Sequence, residues 1–252
     1  MHQLAFLCVG IYTVMSAVVG VRLVRRYFAT RRVPELLMGA AYLAAPACGY
    51  PLVVLGPALP SRQLGSLFFA AGETGIVLGV SLFFFFNAKV FRARAPLAFA
   101  AAALGSALMA LTALEIVRGY LALGPGSTAL ASVRAASVVL LITLGSGYAW
   151  TAIEGGRHVH LMRKRSRWGM GDPVVANRFL LWAIAGTLQV FSAIVAATSL
   201  QTGGNMMTDA APLLATSLVG AFNSALLVFI FIPPAWYTRW LTRAPGGALE
   251  AV

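Results

Sequence analysis

Seven apolar stretches, separated by short polar segments, take up most of this 252-residue chain. A stretch of about 20 such residues crosses a bilayer core of about 30 Å as an α-helix. Helices are expected because a backbone in hydrocarbon must satisfy its hydrogen bonds internally. The predicted spans are residues 4–24, 35–56, 67–91, 97–117, 129–153, 176–200 and 212–232.

The composition agrees with this class of protein. Hydrophobic residues make up 60% of the chain and charged residues 10%, against about 45–50% and about 25% in soluble domains. We therefore predict an all-α polytopic membrane protein with a seven-transmembrane-helix bundle over 1–243 and a flexible cytoplasmic tail over 244–252. Arginine supplies 17 of the 19 basic residues and alanine is abundant, which we interpret as a bacterial, inner-membrane origin.

The basic residues lie mostly on one side of the predicted bundle. The segments that follow the first, third, fifth and seventh spans hold 16 of the 19, whereas the opposite side holds Arg62, Arg118 and Arg134. Cytoplasmic loops of membrane proteins carry the excess of Lys and Arg. The N-terminus is therefore predicted outside and the C-terminus in the cytoplasm. The same bias accounts for the net charge of +12 without a nucleic-acid partner.

Glu73 is the only charged residue in the apolar part of the third span, and an ionisable group at that depth is costly and often functional. Arg134, Glu115 and Arg118 are expected in the same outer half of the bundle. One interpretation is an outer pocket in which Arg134 attracts an anionic group and Glu73 contacts the ligand. The other is a Glu73–Arg134 ion pair that only fixes the helix register. Glu115 and Arg118, three residues apart, can pair locally.

Small residues indicate close helix packing at two places. Gly75 and Gly79 form a GxxxG pattern beside Glu73, and Gly220 repeats at four-residue spacing with Thr216 and Ser224. Asn223, beside that second pattern, is interpreted either as a ligand contact or as an interhelical hydrogen-bonding residue. The other polar residues expected at membrane depth are Tyr12, Thr13, Ser16, Tyr50, Thr187 and Gln189.

Prolines predict two local features of the helices. Pro46, with Gly49 and Pro51, predicts that the second span is bent or broken, because proline removes a helical hydrogen bond and clashes with the preceding turn. Asp172 followed by Pro173 predicts the start of the sixth helix, since Asp caps helix N-termini and Pro suits the first helical position.

The longest polar stretch, between the fifth and sixth spans, is predicted to lie at the membrane surface. Its bases would attract anionic lipid headgroups; they are Arg163, Lys164, Arg165 and Arg167. His158 and His160 lack a third ligand at metal-binding spacing, so we expect no metal site and no cofactor.

The chain carries none of the common enzyme motifs, such as GxSxG, HExxH or a phosphate-binding glycine loop. Glu73 has no second deeply buried acid that could act with it in intramembrane catalysis. We therefore expect that the protein is not an enzyme.

Three resemblances suggest functions. Seven helices with the N-terminus outside resemble rhodopsins and G-protein-coupled receptors, although Lys89 and Lys164 are both predicted in the cytoplasm, which excludes a retinal Schiff base. The ending Phe231–Leu241, FIPPAWYTRWL, resembles the membrane-to-cytoplasm exit of bacterial sensor modules. A division into helices 1–3, 4 and 5–7 is similar to the parallel repeat of sugar-exporting semi-transporters.

These resemblances leave three functions open. The first is a sensor or receptor-like protein that binds a small molecule in an outer-half pocket near Glu73 and Arg134. The second is a small-solute transporter of the 3+1+3 helix type, and the third is a membrane scaffold or assembly subunit. The expected partners are the lipid bilayer, a small-molecule ligand, and either a second copy of the chain or a cytoplasmic signalling protein.

Overall fold

The structure is a computed structural model, and it describes residues 2–123, 133–166, 168, 170–204 and 209–243. These residues form helices and connecting turns, with no strand among them. Seven helical segments in this part of the chain are long and apolar enough to cross a membrane. The predictions of an all-α fold and of seven helices that can span a membrane are therefore confirmed.

The helices are numbered here in chain order, and the second span is built from several of them. They are α1 (His2–Thr30), α2 (Val33–Tyr42), a π-helical segment (Leu43–Gly49), α3 (Tyr50–Leu55), a 3₁₀ turn (Gly56–Ala58), α4 (Arg62–Phe91), α5 (Pro96–Leu123), α6 (Arg134–Ser166), α7 (Pro173–Gln201), α8 (Ala210–Phe231) and α9 (Ala235–Arg243). We call Val33–Ala58 the second span.

The spans form a closed ring in chain order. Each contacts its neighbours along the chain, and α8 also packs against α1 to close the ring. Because α4 contacts α6 directly, α5 lies against both of them at the periphery. We call the side where α1 ends and α7 begins the basic end, since Arg31, Arg92 and Arg163 lie there.

The interruption predicted in the second span is confirmed. Its backbone passes from α-helix to π-helix at Leu43 and returns to α-helix at Tyr50, with Pro46 inside the π segment. Proline has no N–H to donate and its ring displaces the preceding carbonyl, and a wider π turn accommodates that displacement.

Glycines of α4 bring the backbone of the second span into direct contact. A Cβ on Gly72 would lie 2.6 Å from the backbone nitrogen of Val53, and one on Gly75 would lie 2.9 Å from the carbonyl oxygen of Ala44. On Gly79 it would lie 2.5 Å from the Cβ of Ala45. Such distances leave no room for a side chain, so this face of α4 requires glycine.

The fifth span extends further at the basic end than the predicted limit of residue 153. Helix α6 continues through the polar stretch to Ser166, and 33 residues rise about 50 Å, well beyond a hydrocarbon core of about 30 Å. Arg, Lys and Met are good helix formers, so the helix persists after it leaves the apolar region. The predicted tail, 244–252, lies outside the described residues.

Two features at helix ends position the sixth and fourth spans. The predicted cap at Asp172 is confirmed, because its carboxylate accepts from the backbone N–H groups of Val174, at 2.8 Å, and Val175, at 3.3 Å. At the opposite end, Arg62 donates to the carbonyl oxygens of Leu121 and Ala122. A cation is favourable there because the last carbonyls of a helix are unpaired and carry partial negative charge.

We expect Gly72→Ala to lower the free energy of unfolding, or of helix dissociation, by about 1–3 kcal/mol, as overpacking of a tight contact does. Gly156→Ala is the matched control, since no atom lies within 4 Å of its Cβ position, and it should gain up to about 1 kcal/mol from helix propensity. Thermal unfolding of the detergent-purified variants measures both. Equal effects in the two variants would contradict the close contact between α4 and the second span.

Candidate functional site

A cavity of about 60 Å³ lies inside the ring, near the middles of the helices. Every span except α5 contributes to its wall. The lining residues are Tyr12, Met38, Ala41, Tyr42, Ala45, Pro46, Gly79, Val80, Phe83, Tyr148, Thr151, Trp182, Ala185, Gly186, Gln189, Asn223 and Leu227. None of them carries a charge, so the wall combines aromatic and aliphatic surface with a few neutral polar groups.

Asn223 is the polar residue of this wall with an unused hydrogen-bonding atom. It is 5% exposed, and its Oδ1 atom has no hydrogen-bond partner among the described residues. A buried amide oxygen without a partner costs free energy of about 1–3 kcal/mol. An atom of this kind, on a residue that lines a cavity, is therefore a candidate acceptor for a bound molecule.

Other unpaired oxygens accompany Asn223 along the contact between α1 and α8. The ring of Tyr12 lies 3.6 Å from the Cβ position of Gly220, and both helices, the first and seventh of an alternating bundle, run in the same direction. Ser16 and Ser224, each four residues further on, therefore lie at one depth, next to Asn223. The buried hydroxyl oxygens of the described residues that lack a partner here are those of Thr13, Ser16 and Ser217.

A second polar group, beside the cavity, is fully satisfied. Asn87 is completely buried; its amide donates to the carbonyl of Gly147 at 3.2 Å, and its Oδ1 accepts from the Thr151 hydroxyl at 3.0 Å. This network joins α4 to α6. Buried polar networks that are fully paired fix the relative position of the elements they join.

Aromatic side chains close the cavity toward the basic end. The ring centroids of Phe86 and Trp182 are 5.7 Å apart, those of Trp182 and Phe231 5.5 Å, and those of Phe231 and Tyr42 6.1 Å. We call these four residues the aromatic floor. They come from four different spans. The contacts of Phe231 with Trp182 and Tyr42 are edge-to-face, and such contacts add to the free energy of packing.

Glu73 lies apart from the cavity. It is 8% exposed, and its Oε2 atom has no hydrogen-bond partner in the described part of the chain. Phe69, one turn before it, stacks on Tyr120 of α5, and Val80, two turns after it, packs near α5 and α6. The carboxyl group is therefore held in an apolar contact between these three helices.

The remaining ionisable candidates are not gathered around Glu73. No ion pair within 4.0 Å joins it to Arg134 in the described structure. The residue before Arg134 is in a turn, so Arg134 begins α6 instead of lying one or two turns inside it. Its guanidinium group lies near Gly203, in the turn after α7. A position at the end of a span keeps the charge of Arg134 out of the hydrocarbon.

Glu115 and Arg118 form the local pair that their spacing allows. Their closest atoms are 2.9 Å apart, and the side chains are 60% and 64% exposed. They therefore lie on the outer surface of α5, away from the cavity. Of the five ligand-binding or ion-pair candidates, the structure brings only Asn223 to the cavity wall.

At the basic end, a buried acid links α4 to α6. Glu154 accepts from the Nε and Nη2 atoms of Arg92, each at 2.6 Å, and its side chain is 6% exposed. Arg157 lies 4.0 Å from its second oxygen. Pairing with guanidinium offsets part of the cost of burying the carboxylate, so the pair ties the end of α4 to the middle of α6.

His158 contributes to packing, whereas the basic residues at the end of α6 are exposed. His158 lies between Phe91 and Phe179, with centroid distances of 5.2 and 4.9 Å. Arg163, Lys164 and Arg165 are exposed at the end of α6, whereas Arg167 lies outside the described residues. Among the residues that the structure describes, no three His, Cys, Asp or Glu side chains gather as metal ligands.

Sequence reasoning does not single out several residues of the site, namely Asn87, Tyr148, Thr151 and Trp182. Asn87 does carry a signal, since it interrupts an apolar run after four phenylalanines. Tyr148 and Thr151 are three residues apart and so share a helix face. These two signals are short and do not show which face meets the interior.

Comparisons of the chain with protein-family models, with curated proteins and with solved structures give no match. The functional interpretation therefore depends on the cavity, on the unpaired oxygen of Asn223 and on the ion pair at the basic end.

We expect Glu73→Met to raise the unfolding temperature. The unpaired carboxyl group is costly in an apolar contact, and methionine has a similar volume with flexible, apolar atoms. Replacement of buried ionic groups by apolar residues has stabilised other proteins by about 1–4 kcal/mol. Glu115→Met, at an exposed position, is the control and should change stability by less than about 0.5 kcal/mol. A loss of stability in Glu73→Met alone would mean that the carboxyl group has a partner.

Proposed function

We propose that this protein is a receptor-like membrane protein that binds a small molecule in the central cavity. The observation that carries the proposal is the unpaired Oδ1 atom of buried Asn223 at a cavity wall built from six of the seven spans. The site differs from the outer-half pocket expected near Glu73 and Arg134, because neither residue lines the cavity.

The lining of the cavity supports a ligand that is small, uncharged and able to donate a hydrogen bond. An anion would find no cation among the lining residues, and an unpaired buried charge is strongly unfavourable. Asn223 supplies the acceptor, while Gln189 and Tyr148 offer further polar atoms. A volume of about 60 Å³ is far below the roughly 300–1,000 Å³ of typical ligand pockets, so the ligand is of solvent-molecule size or the spans separate to admit it.

Two observations favour a receptor-like role. The aromatic floor closes the cavity toward the basic end, where the predicted cytoplasmic side lies. Helix α6, which lines the cavity through Tyr148 and Thr151, continues past the membrane to Ser166. One rigid helix therefore joins the proposed ligand site to a basic surface that a signalling partner could contact.

The test is thermal unfolding of the detergent-purified protein with a panel of uncharged amides, ureas and alcohols and their carboxylate counterparts. A ligand that binds the folded state raises its apparent stability, so we expect uncharged donors to raise the unfolding temperature by several degrees and carboxylates to have no effect. Asn223→Leu and Gln189→Leu should abolish the response.

Gln63→Leu is the matched control for these variants, since it removes an exposed amide at the start of α4, away from the cavity. It should leave the response unchanged. Equal responses in all four proteins, or a response to carboxylates alone, would refute the central site. If Asn223→Leu without added compound unfolds at a much lower temperature than the unchanged protein, Asn223→Ser replaces it, because serine keeps a polar group at that position.

A small-solute transporter is the second candidate, and the π-helical segment at Pro46 favours it. Transporters place irregular helices at a midplane site, and Ala45 and Pro46 lie in the cavity wall. The peripheral place of α5 also fits a linker between two three-helix halves.

Thiol accessibility separates the two candidates. With Cys8 and Cys48 replaced by alanine, Ser217→Cys reports access from one side of the cavity and Phe86→Cys reports access through the aromatic floor. A receptor leaves the thiol at residue 86 unreactive toward a membrane-impermeant reagent with and without ligand. A transporter makes both thiols reactive, in alternation and with opposite dependence on ligand.

A further inference from the structure

A groove of about 510 Å³ runs along the outside of the bundle, where α1 passes the end of α8. Its lining changes character along its length. The part further from the basic end consists of Ala17, Val18 and Val21. The part nearer the basic end consists of Arg22, Arg25 and Ile232. This groove, which we call the α1 groove, is separate from the central cavity.

Among the described residues, no acid forms an ion pair with either arginine of the α1 groove. The acids within 4 Å of an arginine in the described structure are Glu35, Glu115 and Glu154, and none of them pairs with Arg22 or Arg25. Both side chains are exposed and lie three residues apart, so they point to one side of α1. Two exposed guanidinium groups beside an apolar surface can bind one anionic group together.

The depth of the groove matches the level of lipid headgroups. Ile232 lies three residues before the start of α9, whose Trp236 and Trp240 are 58% and 63% exposed. Tryptophan collects at the membrane–water interface, and so α9 marks the interface at the basic end. Arg22 lies about two turns inside the end of α1, from where its long side chain reaches that level.

We propose that the α1 groove binds one anionic phospholipid. Its phosphate accepts hydrogen bonds from Arg22 and Arg25, as guanidinium groups favour, and one acyl chain lies along Ala17, Val18 and Val21. A free phosphate ion would use only the arginines, whereas a zwitterionic lipid carries an ammonium group next to its phosphate. The division of the groove into an apolar and a doubly cationic part favours a lipid with net negative charge.

Native mass spectrometry of the full chain, released from delipidated micelles, tests this site with added phosphatidylglycerol, phosphatidylcholine of the same acyl chains, or inorganic phosphate. We expect one phosphatidylglycerol to bind in preference to phosphatidylcholine. The double variant Arg22→Gln/Arg25→Gln should weaken that binding by about tenfold or more, since each base near an anionic surface contributes substantially.

Lys89→Gln/Arg94→Gln removes the same charge from exposed positions near the end of α4 and should retain the binding. Val18→Phe fills the apolar part without a change of charge and should weaken binding of the lipid while the protein stays folded. Equal binding of both lipids, equal losses in the two double variants, or binding of inorganic phosphate with the same affinity as the lipid would overturn the proposal.

Discussion

The approach of α4 to the second span determines the geometry of the interior. Three glycines of α4 let backbone meet backbone over about two turns, so no side chain separates the helices there. The π-helical segment lies in this contact, and Pro46 consequently faces the cavity. Because these glycines of α4 have no Cβ, the irregular part of the second span packs directly against the backbone of α4. The cavity thus results from a break in one helix that its neighbour supports.

The buried polar groups of the described residues are of two kinds. Some of them join helices, as in the Asn87–Thr151 hydrogen bond and the Arg92–Glu154 ion pair. Others carry unpaired oxygens, of which Asn223 and Glu73 are examples. Paired groups hold helices together at little cost, whereas unpaired ones lower stability unless something binds them.

The sequence predicts the spans well because each apolar run must be about as long as the membrane is thick. It also predicts the break at Pro46 and the cap at Asp172, which depend on local backbone chemistry alone. It does not predict which side chains meet. In a soluble protein the polar face of a helix marks the outside, but lipid is as apolar as the interior. Leu78 and Val80 are equally apolar, yet the first is exposed and the second buried. The sequence therefore does not show which face of its helix carries Glu73, and Arg134 lies at the start of α6 instead of inside the span.

Helix α6 gives the cavity a direct physical connection to the basic end. Thr151 lines the cavity and bonds to Asn87, and Glu154, three residues later on the same helix face, holds Arg92 at the end of α4. Both bonds join the same two helices within one turn of each other. A displacement of α6 against α4 at the cavity must therefore stretch the hydrogen bond and the ion pair together, because a helix turn is too stiff to absorb it between them. Since Glu154 is buried, its carboxylate cannot exchange Arg92 for bulk water at low cost. The two helices thus either keep their register or shift as a unit, and a shift of that kind would move the exposed end of α6.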